Sequence, residues 1–372
     1  MLNNLNQTTR RDFIKTSALG AAATILSPSV SAFPGILTGK QKKLGIALIG
    51  LGWYSTDILA PALQETKVAF LAGIVTGTPE KEDIWAARYN IPRKNIYNYQ
   101  NFDEIRSNSD IDIVYVVLPN SMHKEFTIRG ANAGKHVICE KPMAMNAQEC
   151  HEMIDACKRN NVGLSIGYRM QYEPYTQEIM RLGQEKVFGD LLHISCGAGY
   201  RHTNYESWKI VAKMGGGAMY DMGVYPLQAA RYVTGMEPNY VTAQTFKTRP
   251  REFHDVDEAT TFQLEFPGGT VANLDTGFHS NFNYLHAFAQ RGWFELKPFS
   301  AFRGIQGRTS QGELNFPNIN QQATQMDEDA ISFSRGETPR VPGEEGIKDM
   351  LVVDAVYESL RKYGKKIEVK KV

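Results

Sequence analysis

Short, wholly apolar runs separated by helix-length amphipathic stretches fill the chain from residue 44 to about residue 166. Residues 44–49 (LGIALI) are apolar throughout and end at Gly50. A strand buried on both faces needs that pattern, because neither face turns to water. Residues 68–75 and 111–118 repeat it, the latter stopped by Pro119, and so do residues 136–139, which follow a helix ended by Gly134, and residues 163–166. Asn146 and Glu149 stand in capping-box spacing and predict a helix start. Strands alternating with helices at this rhythm predict a mostly parallel sheet covered by helices, in a domain spanning residues 41–166.

Beyond residue 167 the texture changes. Residues 260–266 alternate between apolar and polar, and a Pro-Gly-Gly turn leads to residues 271–274. An antiparallel sheet with one covered face fits this second domain, residues 167–372. Helices are expected over 221–233 and 347–363. The polar, glycine-dotted stretch 298–325 predicts loops plus one edge strand. The fold class is therefore α/β, a parallel-sheet domain followed by an α+β domain.

The first forty residues read differently. Arg10-Arg11-Asp12-Phe13-Ile14-Lys15 precedes a modestly apolar run, residues 17–26, and then Val30-Ser31-Ala32. Charged start, small-residue middle and small-x-small end form a secretory signal, too short and too weakly apolar to span a bilayer. Cleavage is expected after Ala32; an amphipathic helix is the plainer alternative. The paired arginines resemble a twin-arginine signal, which implies export of a folded protein to the periplasm by that machinery. Lys plus Arg number 41 against 40 Asp plus Glu, so no basic field exists to attract nucleic acid or a membrane surface. Cys139, Cys150, Cys157 and Cys196 read as buried free thiols. Cys150 and Cys157 would lie about 10 Å apart on one helix, beyond disulfide reach, and no spacing suggests a metal site.

Directly after the first strand comes Gly50-Leu51-Gly52-Trp53-Tyr54-Ser55. Gly50 permits a tight turn, and Gly52 lets a pyrophosphate approach the amides of the following helix start. Ser55 is small enough for the third position of a dinucleotide motif. The second strand ends in Val75-Thr76-Gly77-Thr78-Pro79-Glu80-Lys81, with no carboxylate at the strand end to hold a ribose 2′-hydroxyl. A hydroxyl at Thr76 and an ammonium at Lys81 suit a 2′-phosphate, which favours NADP over NAD. Glu80 is the one residue that argues for NAD.

Glu140-Lys141-Pro142 follows the strand at 136–139, at the carboxyl edge where ligands bind in such sheets. Lys141 can donate to a substrate oxygen, and burial near another cation would push it towards base duty. Pro142 fixes the backbone, with a cis bond as one option. The second cluster is Gly215-Gly216-Gly217, which lets the chain pass closely over something, followed by Asp221 and Tyr225, four apart on one helix face. A helix cap at Asp221 and simple packing at Tyr225 are the alternatives.

These pieces, GLGWYS, LPNSMHKE, CEKPMA, IGYR and GGGAMYDMGVYPLQAARYVTG, resemble the Gfo/Idh/MocA oxidoreductase family, and within it the glucose–fructose oxidoreductases. The resemblance runs from residue 44 almost to the C-terminus. It implies a Rossmann domain followed by a large, open, mostly antiparallel sheet, in a homo-dimer or homo-tetramer. It places the family's lysine on Lys141, its aspartate on Asp221 and its acid/base tyrosine on Tyr225. It also implies cofactor or sugar contacts at Pro119, Asn120, His123, Glu140, Tyr168, Arg169 and Trp208, with Tyr168 on the sugar side. The activity implied is NADP-dependent hydride transfer at a sugar carbon. A nicotinamide-dependent glycoside hydrolase and a non-catalytic sugar-binding protein are the alternatives. Residues 199–204 and the segment beyond Arg249 depart from the glucose–fructose pattern, which leaves the sugar open. Export implies that the cofactor is loaded beforehand and retained, oxidising one sugar and reducing another, with Trp53 and Tyr54 supplying part of its cover.

Overall fold

The computed structural model describes residues 43–372; the signal and cleavage site expected over residues 1–32 lie outside the described residues. The first sheet holds β1 (Leu44–Ile49), β2 (Ala69–Val75), β3 (Ile96–Tyr97), β4 (Ile113–Val116), β5 (His136–Cys139) and β6 (Leu164–Ile166). Their order is β3-β2-β1-β4-β5-β6, and every pair is parallel. This is the doubly wound Rossmann order, and the crevice that binds ligands opens where the winding reverses, beyond the ends of β1 and β4. The uniform runs are explained by burial: Ile46, Leu48, Ile49 and Val114 are all 0% exposed. β4 is shorter than its apolar run because pairing at its ends thins to single bonds, Asp112 N to Gly45 O and Val117 N to Ile49 O, both 2.9 Å. β3 has no apolar run to announce it.

The helix Ala147–Arg159 starts where its cap predicts, with Asn146 Oδ1 accepting from Glu149 N at 2.9 Å. Glu149 reaches back to the amide of Met145.

The second sheet is built from β7 (Leu191–Gly199), β8 (Tyr240–Phe246), β9 (Ala259–Glu265), β10 (Val271–Gly277), β11 (Phe282–Ala289), β12 (Gly292–Leu296), β13 (Gly307–Thr309), β14 (Gly312–Leu314) and β15 (Ile367–Glu368). It runs β14-β13-β12-β11-β7-β10-β9-β8-β15 and is antiparallel except where β10 meets β7. The alternation in β9 sends Phe262 and Leu264 inward and Thr261 and Gln263 outward. Helices Pro174–Gln184, Val224–Thr234 and Gly343–Arg361 cover the inner face.

Residues 298–325 hold more order than one edge strand. β13 and β14 form a hairpin, and the helix Gln321–Arg335 begins at the cap Asn320. That helix returns to the first sheet. The amides of Lys67 and Val68 donate to the Asp327 carboxylate, and Phe333 stacks on His136 at 4.7 Å. Part of the segment assigned by sequence to the second domain thus packs on the first.

All four cysteines are buried and unpaired, as expected. Among the described residues no group of side chains could hold a metal ion, and no helix is long and apolar enough to cross a membrane.

Candidate active site

Gly50 ends β1 with φ +89°, and any Cβ there would strike the carbonyl of Val117. Ser55, buried in the third position of the motif, donates to the Gly50 carbonyl at 2.6 Å and closes the turn. At Gly52 the space is open: nothing lies within 4 Å of where a Cβ would stand. A pyrophosphate fits that approach, at the start of the helical turn Tyr54–Leu59. The carbonyl of Leu51 accepts from Lys81 Nζ at 2.6 Å, and the buried Thr76 hydroxyl accepts from Thr78 N at 3.1 Å. Lys81 therefore reaches the glycine loop, while Glu80 is exposed.

Trp53, 61% exposed, sits over this loop with Tyr54 and Phe302, ring centroids 5.9–6.3 Å apart. Phe302 arrives from the loop between β12 and β13. Arg169 holds that loop, its guanidinium 4.3 Å over the Phe302 ring and its N–H groups donating to Ser300 O at 2.5 Å, to Ala301 O at 3.1 Å and to the Gln321 side chain. A second-domain loop is thus fastened over the nucleotide loop.

Pro119 is extended and leads into Asn120, whose amide donates to Gly215 O at 2.7 Å and ties the two domains together. His123 sits between two backbone carbonyls. It is buried with its ring nitrogens 2.8 Å from Pro142 O and 2.9 Å from Leu118 O, so it braces the two loops, and burial lowers its pKa. Tyr168 is likewise enclosed. It is 1% exposed and stands in the core near Asp349 and Tyr232. The turn at residues 169–172 rotates its neighbour Arg169, and not Tyr168, towards Tyr225. Trp208 is half-buried at the start of a short turn, Trp208–Ile210, capped by Ser207.

The Lys141–Pro142 bond is cis. Glu140 is buried and accepts from Tyr115 Oη at 2.8 Å; burial, its largest influence, raises its carboxyl pKa. Lys141 Nζ donates to the Asp221 carbonyl at 2.7 Å, lies 3.9 Å from Asp221 Oδ1 and stands 4.6 Å from the centre of the Tyr225 ring. Arg169 faces the same ring at 5.4 Å. Burial pushes the Tyr225 phenol up, but Lys141 and Arg169 outweigh it and hold the pKa below the ordinary value. For Lys141 the balance is opposite to the one expected from sequence. Burial favours the neutral amine, yet Tyr225, Asp221 and Glu140 hold the ammonium more firmly than usual.

Asp221 lies in the helical turn Met219–Gly223, which is wider than an α-helical turn and runs into the helix Val224–Thr234. Such turns recur at functional sites. Its carboxylate, opposed by burial, is kept ionised by Lys209 and Lys141. Lys209 was not legible as a site residue. Its Nζ lies 2.8 Å from Asp221 Oδ2 and 3.2 Å from Tyr200 Oη, and Tyr200 donates to the same carboxylate oxygen at 3.0 Å. The three glycines explain how it gets there. Gly215 and Gly217 have φ +80° and +117°, a Cβ on Gly216 would strike the Lys209 carbonyl, and Gly217 N donates to that carbonyl at 2.8 Å. The glycine run passes closely over the turn that carries Lys209. Tyr200, Lys209 and Phe302 lie in irregular segments, where no periodicity marks a residue as pointing inward. The signals were that residues 199–204, which include Tyr200, and the segment beyond Arg249, which includes Phe302, break the glucose–fructose pattern; none fell on Lys209.

Residues 44–168 match an oxidoreductase family with an NAD-binding Rossmann fold, and residues 176–296 match a GFO/IDH/MocA C-terminal domain. The D-xylose 1-dehydrogenase (NADP(+)) of Haloarcula marismortui is 26% identical over 344 residues, 87% of this chain and 92% of that protein. The aldose-aldose oxidoreductase of Caulobacter crescentus, crystallised with glycerol, is similar at TM-score 0.85 and 36% identity, covering 88% of this chain and 100% of that one. The myo-inositol 2-dehydrogenase of Lactobacillus plantarum, 20% identical, shares the fold at TM-score 0.75 over 88% of this chain and 100% of that one.

Proposed function

This chain belongs to the Gfo/Idh/MocA oxidoreductase family and is an NAD(P)-dependent enzyme; we propose that it moves hydride between a sugar carbon and NADP bound at the glycine loop. One observation carries the reading: a phenol, Tyr225, flanked by the cations of Lys141 and Arg169 with the Asp221 carboxylate alongside. When bound, the nicotinamide supplies the hydride acceptor or donor. The chain's own residues handle the oxygen. Tyr225 Oη takes the hydroxyl proton in oxidation and returns it in reduction. The Lys141 ammonium holds the same oxygen and stabilises the negative charge that grows on it. Asp221 Oδ1, turned towards Lys141, accepts from a neighbouring sugar hydroxyl and so orients the ring.

NADP is favoured over NAD by the absence of a carboxylate at the end of β2, the buried Thr76 hydroxyl and the ammonium of Lys81. The NADP(+)-specific name of the Haloarcula relative supports the same choice. Retention is supported by the cover of Trp53, Tyr54 and Phe302. The likeness to an aldose-aldose oxidoreductase at 36% identity supports alternate oxidation of one sugar and reduction of another on one cofactor. The twin-arginine-like start supports export to the periplasm, where a cofactor released after each turn would not be replaced. The open face of the second sheet suits assembly into a homo-dimer or homo-tetramer.

The test is to purify the full chain without added nucleotide, denature it and quantify what is released. About one NADP(H) per chain is expected, and the native protein should gain reduced-nicotinamide fluorescence with D-xylose or D-glucose and lose it with a second sugar. Preparations that fold but hold no nucleotide, and exchange no hydride with any aldose or ketose once NADP is added, would overturn the reading.

A further inference from the structure

We infer that Lys209 is a positioning residue that occupies the outer oxygen of Asp221 and so leaves Lys141 free to serve the sugar oxygen and Tyr225. The inference rests on the sugar oxidoreductase reading. Two lysines converge on one carboxylate here, and they do so unequally. Lys209 Nζ is 2.8 Å from Oδ2, whereas Lys141 Nζ is 3.9 Å from Oδ1 and donates instead to the backbone carbonyl of Asp221. Tyr200 adds a second hydrogen bond to Oδ2 at 3.0 Å. Oδ2 is therefore saturated, the carboxylate plane is fixed, and Oδ1 faces Lys141.

The consequence follows from charge balance. The Asp221 and Lys209 side chains are 13% and 30% exposed, so water screens the pair only in part. If the Lys209 charge were removed, Lys141 would become the sole cation beside the carboxylate. It would be drawn towards that carboxylate, away from the Tyr225 ring it now faces at 4.6 Å. The groups facing Asp221 are Lys141 from the loop after β5, Tyr200 from the end of β7 and Lys209 from its own turn. His202 stands behind Tyr200, its Nδ1 3.3 Å from the phenol oxygen, and burial lowers its pKa. Among the described residues, Lys141 and Lys209 alone pair with the Asp221 carboxylate.

The turn does not depend on the lysine side chain. The Lys209 backbone is held by Ser207 Oγ, which accepts its N–H, and by Gly217 N, which donates to its carbonyl. Lys209→Met should therefore fold, and its melting temperature and NADP dissociation constant serve as controls.

The first measurement needs no turnover. Asp221 is followed by carboxyl carbon-13 NMR in the full chain as purified, with no sugar added, assigned by the signal lost in Asp221→Asn. Its titration midpoint should rise by about one to three units in Lys209→Met, as expected for loss of an opposite charge within hydrogen-bonding distance, and should return in Lys209→Arg. An unmoved midpoint overturns the inference. The second measurement is the pH profile of hydride transfer from D-xylose or D-glucose to NADP. Lys209→Met should raise KM for the sugar, lower kcat about tenfold or more and shift the acid limb upward, with Lys209→Arg restoring most of each. A parallel fall at every pH with no shifted limb, or activity within twofold of the parent, also overturns it. If Lys209→Met is unstable, Tyr200→Phe removes a single hydroxyl from the same oxygen and should shift the midpoint in the same direction by less; no shift there overturns the inference. A parent protein that binds NADP but oxidises no sugar refutes the functional reading instead, and the NMR midpoint tells that outcome apart.

Discussion

Replacing Tyr225 by phenylalanine removes one oxygen atom and leaves the ring where it is, 4.6 Å from Lys141 Nζ and 5.4 Å from the Arg169 guanidinium. The structural cost is small. The hydroxyl oxygen accepts a side-chain hydrogen bond from Arg169, worth about 1 kcal/mol net, and the two cation–ring contacts survive. The catalytic cost is large if Tyr225 carries the proton. General acid–base catalysis contributes about a hundredfold to ten-thousandfold, equivalent to about 3–5 kcal/mol of barrier. Lys141 still holds the sugar oxygen in the variant, so a residual rate from positioning should persist. The pH dependence supplies a second check. Oxidation requires the phenolate, so its rate should rise with pH through the Tyr225 pKa, and the cations of Lys141 and Arg169 place that rise below the ordinary phenol value of about 10. In Tyr225→Phe this limb should vanish. The assay is single-turnover formation of NADPH fluorescence at saturating aldose, with NADP affinity and melting temperature measured beside it. A turnover within threefold of the parent, with the pH limb intact, would refute the assignment of Tyr225 as acid/base.

Three further outcomes are expected. Lys81→Ala should weaken NADP binding about tenfold, or about 1.4 kcal/mol, and NAD binding by less, because losing the Lys81 bond to the Leu51 carbonyl touches both nucleotides while only NADP also loses a 2′-phosphate contact; titration calorimetry with both nucleotides checks this, and equal losses would refute it. Phe302→Ala should speed NADP release at least about tenfold, since affinity changes in related complexes fall mainly on the off-rate; stopped-flow displacement of bound NADPH measures it, and an unchanged off-rate would show that the aromatic cover does not retain the cofactor. Glu258→Gln addresses stability. Burial opposes the Glu258 charge, but the amides of Arg249 and Thr248, the Thr248 hydroxyl and the Arg249 guanidinium, all at 2.6–2.8 Å, hold its pKa below the usual range. A depressed carboxylate stabilises the fold above its unfolded pKa of about 4.3, and that stability is lost as pH falls through the folded value. The variant should thus lose about 2 kcal/mol at pH ~7, and urea denaturation should show the gap closing below pH ~4; a gap independent of pH would refute the linkage.

The sequence by itself determined the local backbone. Continuous apolar runs mark strands shielded on both faces, so β1, β2 and β5 were legible almost to the residue, and their alternation with helices dictated the parallel sheet. Gly50 was legible because steric limits act within the chain's nearest neighbours, and Asn146 because a cap bonds only three residues on. Lys141, Asp221 and Tyr225 were legible as residue types at set places. What the sequence did not determine was how side chains from distant segments pair. His123 and Tyr168 carry functional chemistry in their names, yet packing turned the first between two carbonyls and the second into the core. Phe302 reached the nucleotide loop only because Arg169, far earlier in the chain, fastens its loop there. The charge of Lys141 was likewise a tertiary outcome. Burial alone predicts a weakened ammonium, and only the arrival of Tyr225, Asp221 and Glu140 around it reverses the sign. Local periodicity records which face of an element meets water; it holds no record of which groups meet across the crevice once elements cross, and the electrostatics of this site depend on those meetings.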